Sequence, residues 1–256
     1  MEDFIIFNNN QFTYDLLKKN VHFGTITNGR KGALLVNDNK NIPLVRSTTS
    51  YMYQMFTEEH YKLHEMVLNE LLFNEICIKE LNNAMIELYD SSYRNMGWHS
   101  DQELDLAEDS HIVIFSCYKN PVEEHDIRTL HIKSKNQKDN RFSIKLDEGT
   151  CVVFPLHVNN KYLHKISLNS RRSSINEWLG ITFRRSKTFI NYRSGIPYFS
   201  GTEIQLTLAT DDEKREFLKH RSKENKSIGY TYPELTYTIN ELDIIEEAWY
   251  NLPHSY

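Results

Sequence analysis

The sequence predicts a mainly β fold with flanking helices, in the α+β class, and three observations lead to this prediction. From residue 111 onward, short apolar runs recur with turn-rich polar stretches between them and no helical pattern among them. This spacing is typical of an antiparallel sandwich or barrel. Helical periodicity is confined to segments on either side. The chain has only 9 Gly and 6 Pro, which excludes collagen-like and Pro-rich architectures.

The first half of the chain contains edge strands, an extended segment and one helix. Residues 1–41 alternate apolar and polar residues around NG and ND turn signals, which predicts one or two short strands at the edge of a sheet. Residues 42–56 are extended and rich in Ser, Thr and Tyr. Thr57 then caps a helix whose first turn is acidic. The run AMIELY at 84–89 is predicted as a strand.

The second half contains five further predicted strands, followed by a tail of different character. The strands are HIVIFSCY (111–118), RTLHIKS (128–134), RFSIKL (141–146), TCVVFPL (150–156) and WLGITFRR (178–185). The tail is predicted to contain a solvated helix at 211–226 and an amphipathic helix at 240–251.

We therefore expect three regions along the chain. N-terminal strands and turns occupy 1–41, a central β domain occupies 42–187, and a helical C-terminal extension over 188–256 packs on the central domain.

Composition narrows the functional classes. The net charge is −5, so the chain as a whole gives nucleic-acid binding no support. Three widely spaced cysteines without a CxxC pair indicate a reducing compartment, and we expect a cytoplasmic protein. No apolar run is long enough to span a membrane. The sequence does not indicate an oligomeric state.

Charge is distributed unevenly along the chain. Between Lys161 and Arg193 there are eight basic residues and one acidic residue. That segment could hold phosphates, or it could form an ordinary solvated face. Five acidic residues lie between Asp101 and Asp109, and these would repel a nucleic-acid backbone.

One short motif indicates metal chemistry. In GWHSDQE, His99 and Asp101 are two residues apart, so on an extended chain their side chains point to the same side. Together with His164 they would form the two-histidine, one-carboxylate triad of non-haem Fe(II) oxygenases. The alternatives are a hydrogen-bonded His–Asp turn without a metal, and His157 as the third ligand.

The wider sequence resembles a known family. Arg184 lies on the strand GITFRR that follows His164, and arginine is suited to binding a carboxylate through two hydrogen bonds. The order of HxD, distal histidine and closing arginine resembles the AlkB-like family of Fe(II)- and 2-oxoglutarate-dependent dioxygenases. The similar stretches are ELYDSSYRNMGWHSDQELDL, SHIVIFSCY, LDEGTCVVFPLHVNNKYLHKI and GITFRR, within residues 42–187.

The resemblance implies a double-stranded β-helix (jelly roll) and a set of site residues. His99, Asp101 and His164 would bind Fe(II) and form the catalytic centre. Arg184 would bind the co-substrate 2-oxoglutarate, and Tyr89 would donate a hydrogen bond to it. O2 would be the second co-substrate. The segment RSTTSYMYQMF, which carries Tyr51 and Tyr53, falls where the family has a substrate lid.

Two positions depart from the family pattern. Glu87 replaces an asparagine, and Trp178 replaces the first closing arginine, which also serves the co-substrate in the family. These changes should weaken 2-oxoglutarate binding unless another base compensates, and the candidate bases are Arg171, Arg172 and Arg185.

The expected function is therefore oxidation of a substrate C–H bond. The resemblance and the basic segment 161–193 favour oxidative demethylation of alkylated nucleic-acid bases, with single-stranded nucleic acid near that segment. The net charge and the altered co-substrate motif favour a hydroxylase or desaturase of a small molecule, amino acid or peptide. A non-catalytic jelly-roll binding module is the third alternative, which Glu87 and Trp178 suggest.

Overall fold

The computed structural model describes residues 3–136, 140–169 and 176–246. The first half contains β1 (Ile5–Asn8), α1 (Tyr14–Lys18), β2 (Gly24–Thr27), β3 (Arg30–Val36), β4 (Ile42–Pro43), β5 (Tyr53–Met55), α2 (Glu58–Phe73) and β6 (Asn83–Tyr89). The second half contains β7 (His111–Tyr118), β8 (Arg128–Ser134), β9 (Arg141–Leu146), β10 (Thr150–Pro155), α3 (Leu156–Lys161), β11 (Tyr162–Ser167), β12 (Trp178–Arg184), β13 (Phe189–Arg193), β14 (Ile196–Phe199), β15 (Thr207–Leu208), α4 (Asp211–Lys226) and β16 (Tyr237–Thr238).

Two facing sheets form the centre of the molecule. The main sheet has the order β1-β10-β7-β12-β6-β3-β2, with β5 parallel beside β3. The second sheet has the order β11-β8-β9, and residues 95–99 extend it through isolated bridges to β11. From β6 to β12 the chain passes repeatedly between the two sheets. This alternation is a jelly roll, so the predicted mainly β fold with a double-stranded β-helix core is confirmed.

Apolar side chains fill both faces of the main sheet. Ile114 of β7, Ile132 of β8 and Ile166 of β11 pack between the two sheets. On the outer face, Leu63 and Val67 of α2 pack against the sheet, and each such buried side chain contributes about 1.5–3 kcal/mol. Within the described ranges, no helix is long and apolar enough to cross a membrane.

Several elements lie where the sequence predicted them. Strands β7, β8 and β9 and helix α4 have the predicted bounds, and α2 begins directly after its cap at Thr57. The five strands predicted after residue 111 are all present.

The prediction for the N-terminal region is partly wrong. β1 and β2 do lie at sheet edges, but β3 lies inside the main sheet, between β2 and β6. Residues 33–36 are fully buried because one face packs on the helix-covered core and the other packs on Leu44 and Tyr53. The continuous apolar run ALLV is the pattern of a strand buried on both faces.

The prediction of a purely helical C-terminal extension is also wrong. β13, β14, β15 and β16 lie in this region, together with α4. The described part of the predicted helix 240–251 is a short 3₁₀ helix, Glu241–Ile244. Asn240 accepts a hydrogen bond from the Leu242 amide, and a side chain bonded locally in this way favours a tight turn over a helix. The remainder of that predicted helix, from 247, lies outside the described residues.

Candidate metal centre

An antiparallel bridge brings the two predicted histidine ligands together. The His99 amide donates to the His164 carbonyl at 3.0 Å, and the His164 amide donates to the His99 carbonyl at 2.7 Å. Directly opposed residues in an antiparallel pair project to the same face. The two imidazole ring centres are therefore only 4.5 Å apart. His164 lies within β11, after the short helix α3 that follows β10.

Asp101 completes the set. Its Oδ1 lies 3.4 Å from His164 Nε2 and 3.9 Å from His99 Nε2. One ligand atom from each of the three residues lies within 4.8 Å of the others. The second carboxylate oxygen, Oδ2, accepts a hydrogen bond from Arg184 Nε at 2.5 Å. One oxygen of Asp101 thus faces the histidines while the other is held by a guanidinium group.

The protonation state of these groups suits a metal ion. Burial and the neighbouring His164 lower the pKa of His99 to about 3, so its imidazole is neutral at pH 7. His99 Nδ1 lies 3.0 Å from the Gly97 carbonyl, which places the proton on Nδ1 and a lone pair on Nε2. Burial alone would raise the pKa of Asp101, but Arg184 and His164 hold it well below its usual value. Two imidazoles and one carboxylate are the donor set that Fe(II) takes in facial triads.

Two helices hold the backbone that carries Asp101. Asn159 of α3 accepts from the Asp101 amide at 2.8 Å and donates to the Asp101 carbonyl at 2.9 Å. From α4, Asn225 Oδ1 accepts from the Ser100 amide at 2.9 Å, and Arg221 donates to the Ser100 carbonyl. The polar groups of this turn are satisfied on both sides, so the metal ligands are held in place by packing and hydrogen bonds.

His99 and Asp101 of the triad line a cavity of about 360 Å³. Its lining also includes Arg184, Arg30, Tyr51 and Tyr93. Arg184 is 5% exposed, and its Nη1 has no hydrogen-bond partner within the described residues. A buried guanidinium nitrogen without a partner is costly, and an anionic ligand beside the metal would satisfy it. The cavity therefore fits a metal-chelating carboxylate such as 2-oxoglutarate.

The structure places Tyr89 away from this cavity. Tyr89 is fully buried, and its hydroxyl donates to Glu87 Oε2 at 2.6 Å. Its ring packs on Trp178, with ring centres 4.8 Å apart. Trp178 Nε1 donates to Ser116 Oγ at 2.7 Å, so the indole is a satisfied core side chain. The structure brings Arg184 to the metal ligands, but the hydroxyl of Tyr89 is already engaged by a protein carboxylate.

A base that the sequence analysis missed neutralises Glu87. Arg30 of β3 pairs with Glu87 at 2.5 Å, and the Tyr51 hydroxyl donates to the same carboxylate at 2.8 Å. Tyr51 is 3% exposed, so it packs against the sheet. Arg30 follows an NG turn, and this signal predicts a hairpin but does not predict which residue Arg30 contacts. The other missed residues are those that hold the HxD turn: Asn159, Arg221 and Asn225.

The basic segment 161–193 does not form one patch in the described residues. Arg184 is buried beside Asp101, Arg185 pairs with Asp109, and Arg193 pairs with Glu203. Arg171 and Arg172, which were candidates to replace the missing arginine, lie outside the described residues.

A different group of cations covers the outer side of the second sheet. Two adjoining grooves there are lined by six lysine and arginine side chains and by no acidic side chain of the described ranges. We call this surface the basic face; it comprises Arg94, Lys133, Lys135, Arg141, Lys165 and Lys226. Trp98 lines both one of these grooves and the metal cavity. The ammonium groups of Lys133 and Lys165 lie 4.4 and 5.2 Å from the centre of the Trp98 ring.

The largest cavity lies elsewhere. It measures about 700 Å³ and is lined mainly by residues 103–108, 156–160 and 229–236. The buried ion pair between Arg46 and Asp105, at 2.8 Å, is located where this cavity approaches the metal cavity. None of the three metal-ligand candidates lines the larger cavity.

Comparisons with known proteins give only distant similarity. No protein-family model matches the chain, and no curated protein matches it. The structure of OsALKBH1 is similar with a TM-score of 0.42 and 16% identity, over 64% of this chain and 83% of that chain. A prolyl-4-hydroxylase from Pseudomonas putida has a TM-score of 0.37 and 15% identity, over 62% and 69% of the two chains. A prolyl hydroxylase from Trichoplax adhaerens, in complex with a hypoxia inducible factor peptide fragment, has a TM-score of 0.42 and 15% identity, over 71% and 83%. Similarities at this level leave the function to be inferred from the side chains of the site.

Proposed function

We propose that the protein is an Fe(II)- and 2-oxoglutarate-dependent oxygenase that oxidises a C–H bond of its substrate. The observation that carries this proposal is the convergence of His99, Asp101 and His164 at the mouth of a jelly-roll cavity. When bound, iron and 2-oxoglutarate supply the oxidising chemistry with O2.

The chain's own residues have distinct tasks in this reaction. Two imidazole nitrogens and one carboxylate oxygen hold the metal and leave positions open for the co-substrates. Arg184 keeps Asp101 ionised and oriented, and its unpartnered Nη1 is available to a carboxylate of 2-oxoglutarate.

An anaerobic titration with Fe(II) and then 2-oxoglutarate tests the proposal through the visible charge-transfer band of the complex. We expect the band in the wild type and its loss in His99→Ala and Asp101→Ala, because a triad that loses one of three ligands holds the ion weakly. Circular dichroism serves as the folding control. Full iron occupancy and turnover in either variant would refute the assignment.

We further propose that the substrate is single-stranded nucleic acid carrying an alkylated base, which the enzyme demethylates oxidatively. The basic face supports this, because it offers six cations and leads past Trp98 to the metal cavity. Cations bind phosphates, and an aromatic ring offers a stacking surface for a base. Hydroxylation of a small molecule or peptide is the alternative; the overall charge of −5 favours it.

A further inference from the structure

Four arginines of the described residues line the metal cavity: Arg46, Arg184, Arg221 and Arg30. Arg30 is on β3, away from the triad. Its Nε and Nη2 donate to Glu87 Oε1 at 2.9 and 2.5 Å, and Nη2 also donates to the Tyr51 hydroxyl at 2.9 Å. Its Nη1 has only a long contact of 3.5 Å, to the Tyr93 hydroxyl. Because a hydrogen bond of that length is weak, Nη1 can donate to a closer acceptor.

Strand register gives the relation between the two arginines. On β6, Arg184 is opposite Asn83, whereas Arg30 is opposite Tyr89. Along β6, these two positions are roughly 20 Å apart at about 3.3 Å per residue. The Arg30 side chain contacts Glu87, which lies two residues closer to the position of Arg184. Tyr51 is located between them: burial and Glu87 raise the pKa of its hydroxyl, while Arg30 and Arg184 both oppose that rise. Both guanidinium groups thus act on one buried phenol that lines the cavity.

A dianionic ligand would balance the charges of the cavity. The four arginines that line it are each paired with a carboxylate, so the protein groups are neutral as pairs: Arg30 with Glu87, Arg184 with Asp101, Arg46 with Asp105 and Arg221 with Glu224. A divalent metal ion would add two positive charges. Buried charges are stable when they are compensated, and a ligand with two carboxylates restores neutrality.

We propose that Arg30, with Tyr51 and Tyr93, binds the far carboxylate of 2-oxoglutarate and replaces the arginine that is absent at Trp178. This inference rests on the proposed function. The near carboxylate and keto group belong to the metal end beside Arg184. Glu87 competes with the ligand for Arg30, so it lowers the affinity for the co-substrate.

The other described arginines near this region are less suitable. Arg46 and Arg221 also line the metal cavity, but each is engaged by the protein. Arg46 binds Asp105 and the carbonyls of Leu235 and Tyr237, and Arg221 binds Glu224 and the Ser100 carbonyl. Arg185 is paired with the exposed Asp109. Arg128 donates through Nη1 and Nη2 to the carbonyls of Tyr93 and Asp90, at 2.8 and 2.7 Å. Arg128 lines a cavity of about 10 Å³, which is too small for a carboxylate.

Affinities for two keto acids test the inference. 2-Oxopentanoate has a methyl group where 2-oxoglutarate has its far carboxylate. Binding of both to the iron-loaded protein is measured anaerobically by the charge-transfer band and by calorimetry. Since Arg30→Gln alone would leave the buried Glu87 without its cationic partner, the principal variant is the double substitution Arg30→Gln with Glu87→Gln.

We expect the double variant to bind 2-oxoglutarate on the order of 10- to 100-fold more weakly, with 2-oxopentanoate unchanged. Glu87→Gln alone should bind 2-oxoglutarate more tightly than the wild type, because Arg30 then loses its competitor. Arg193→Gln, at an exposed ion pair, is the matched control and should change neither affinity.

The outcomes separate the two proposals. If the iron-loaded wild type binds neither keto acid, the proposed function fails and the inference fails with it. If the wild type prefers 2-oxoglutarate and the double variant, folded by circular dichroism, keeps that preference, the oxygenase proposal stands and the assignment of Arg30 is overturned.

Discussion

The Arg184 side chain lies between Asp101, a candidate metal ligand, and the cavity that would hold the co-substrate. The family resemblance implies a contact with 2-oxoglutarate, whereas the structure shows Nε on Asp101 and Nη1 without a described partner. Both contacts can coexist because the guanidinium group presents five donors in a fixed plane. At this position arginine therefore couples the charge of the metal site to that of the co-substrate.

Substitution Arg184→Gln should affect both partners. Loss of a charge-assisted contact from a buried site costs about 2–4 kcal/mol, or roughly 30- to 1,000-fold in 2-oxoglutarate affinity. Without the guanidinium, the pKa of Asp101 rises, so protons compete with the metal at higher pH than in the wild type. Iron affinity should thus fall more steeply in the variant than in the wild type as the pH is lowered from 8 to 6, measured by equilibrium titration. An unchanged 2-oxoglutarate affinity would mean that another base holds the co-substrate.

At the scale of elements, helix α2 begins with a buried histidine. His60 Nδ1 lies 3.1 Å from the Thr57 amide and 3.0 Å from its hydroxyl, and Nε2 lies 3.0 Å from the Leu17 carbonyl. The neutral ring thus caps α2 and ties it to α1. Burial lowers the pKa of His60 from 6.5 to about 4, and protonation at Nδ1 would break the hydrogen bond from the Thr57 amide.

This arrangement predicts a pH-dependent stability. The unfolded chain binds a proton at His60 below about pH 6.5, whereas the folded chain resists it down to about pH 4. The contribution of His60 to the free energy of unfolding is fully present above pH 6.5. It decreases as the pH falls from 6.5 to about 4, by up to about 3 kcal/mol. Urea unfolding at pH 7.5 and at pH 4.5 measures the loss. His60→Gln keeps a capping side chain but cannot titrate, so its loss should be smaller; equal losses would assign the effect to other groups.

For the whole molecule, the distribution of charge decides how nucleic acid would bind. Counterion release from a single strand gives a slope of log K against log salt of about −0.7 for each cation that contacts a phosphate. Binding of a fluorescent single-stranded oligonucleotide should therefore weaken steeply with salt. The magnitude of this slope should fall by about 1.4 in the double variant Lys133→Gln with Lys165→Gln. It should not change in the control variant Lys40→Gln with Lys119→Gln, at exposed positions elsewhere. Salt-independent binding, or none, would favour a small-molecule substrate.

How far the sequence predicts the molecule depends on the distance over which its residues interact. Strands such as β7 and β8 are predictable because each is a short apolar run between turns. The HxD motif is predictable because its two residues are close together in the sequence. The position of β3 inside the sheet could have been deduced from its continuous apolar run. The pairing of Arg30 with Glu87 could not, because 57 residues separate them and no local pattern relates them. The same reason explains why the cations of segment 161–193 do not form one patch. The acidic partners of Arg184 and Arg185 are distant in the sequence and become neighbours only in the folded chain.

The hydrogen bonds between α4 and the HxD turn have a consequence for biosynthesis. Ser100 and Asn225, which hold this turn, are 125 residues apart in the chain. A ribosome completes the turn long before it makes the helix that fastens it, and domains acquire their structure as the chain emerges. The iron-binding frame is therefore finished only when α4 has left the exit tunnel. We therefore expect tight metal binding only after translation has passed Asn225, the last of the side chains that hold Ser100.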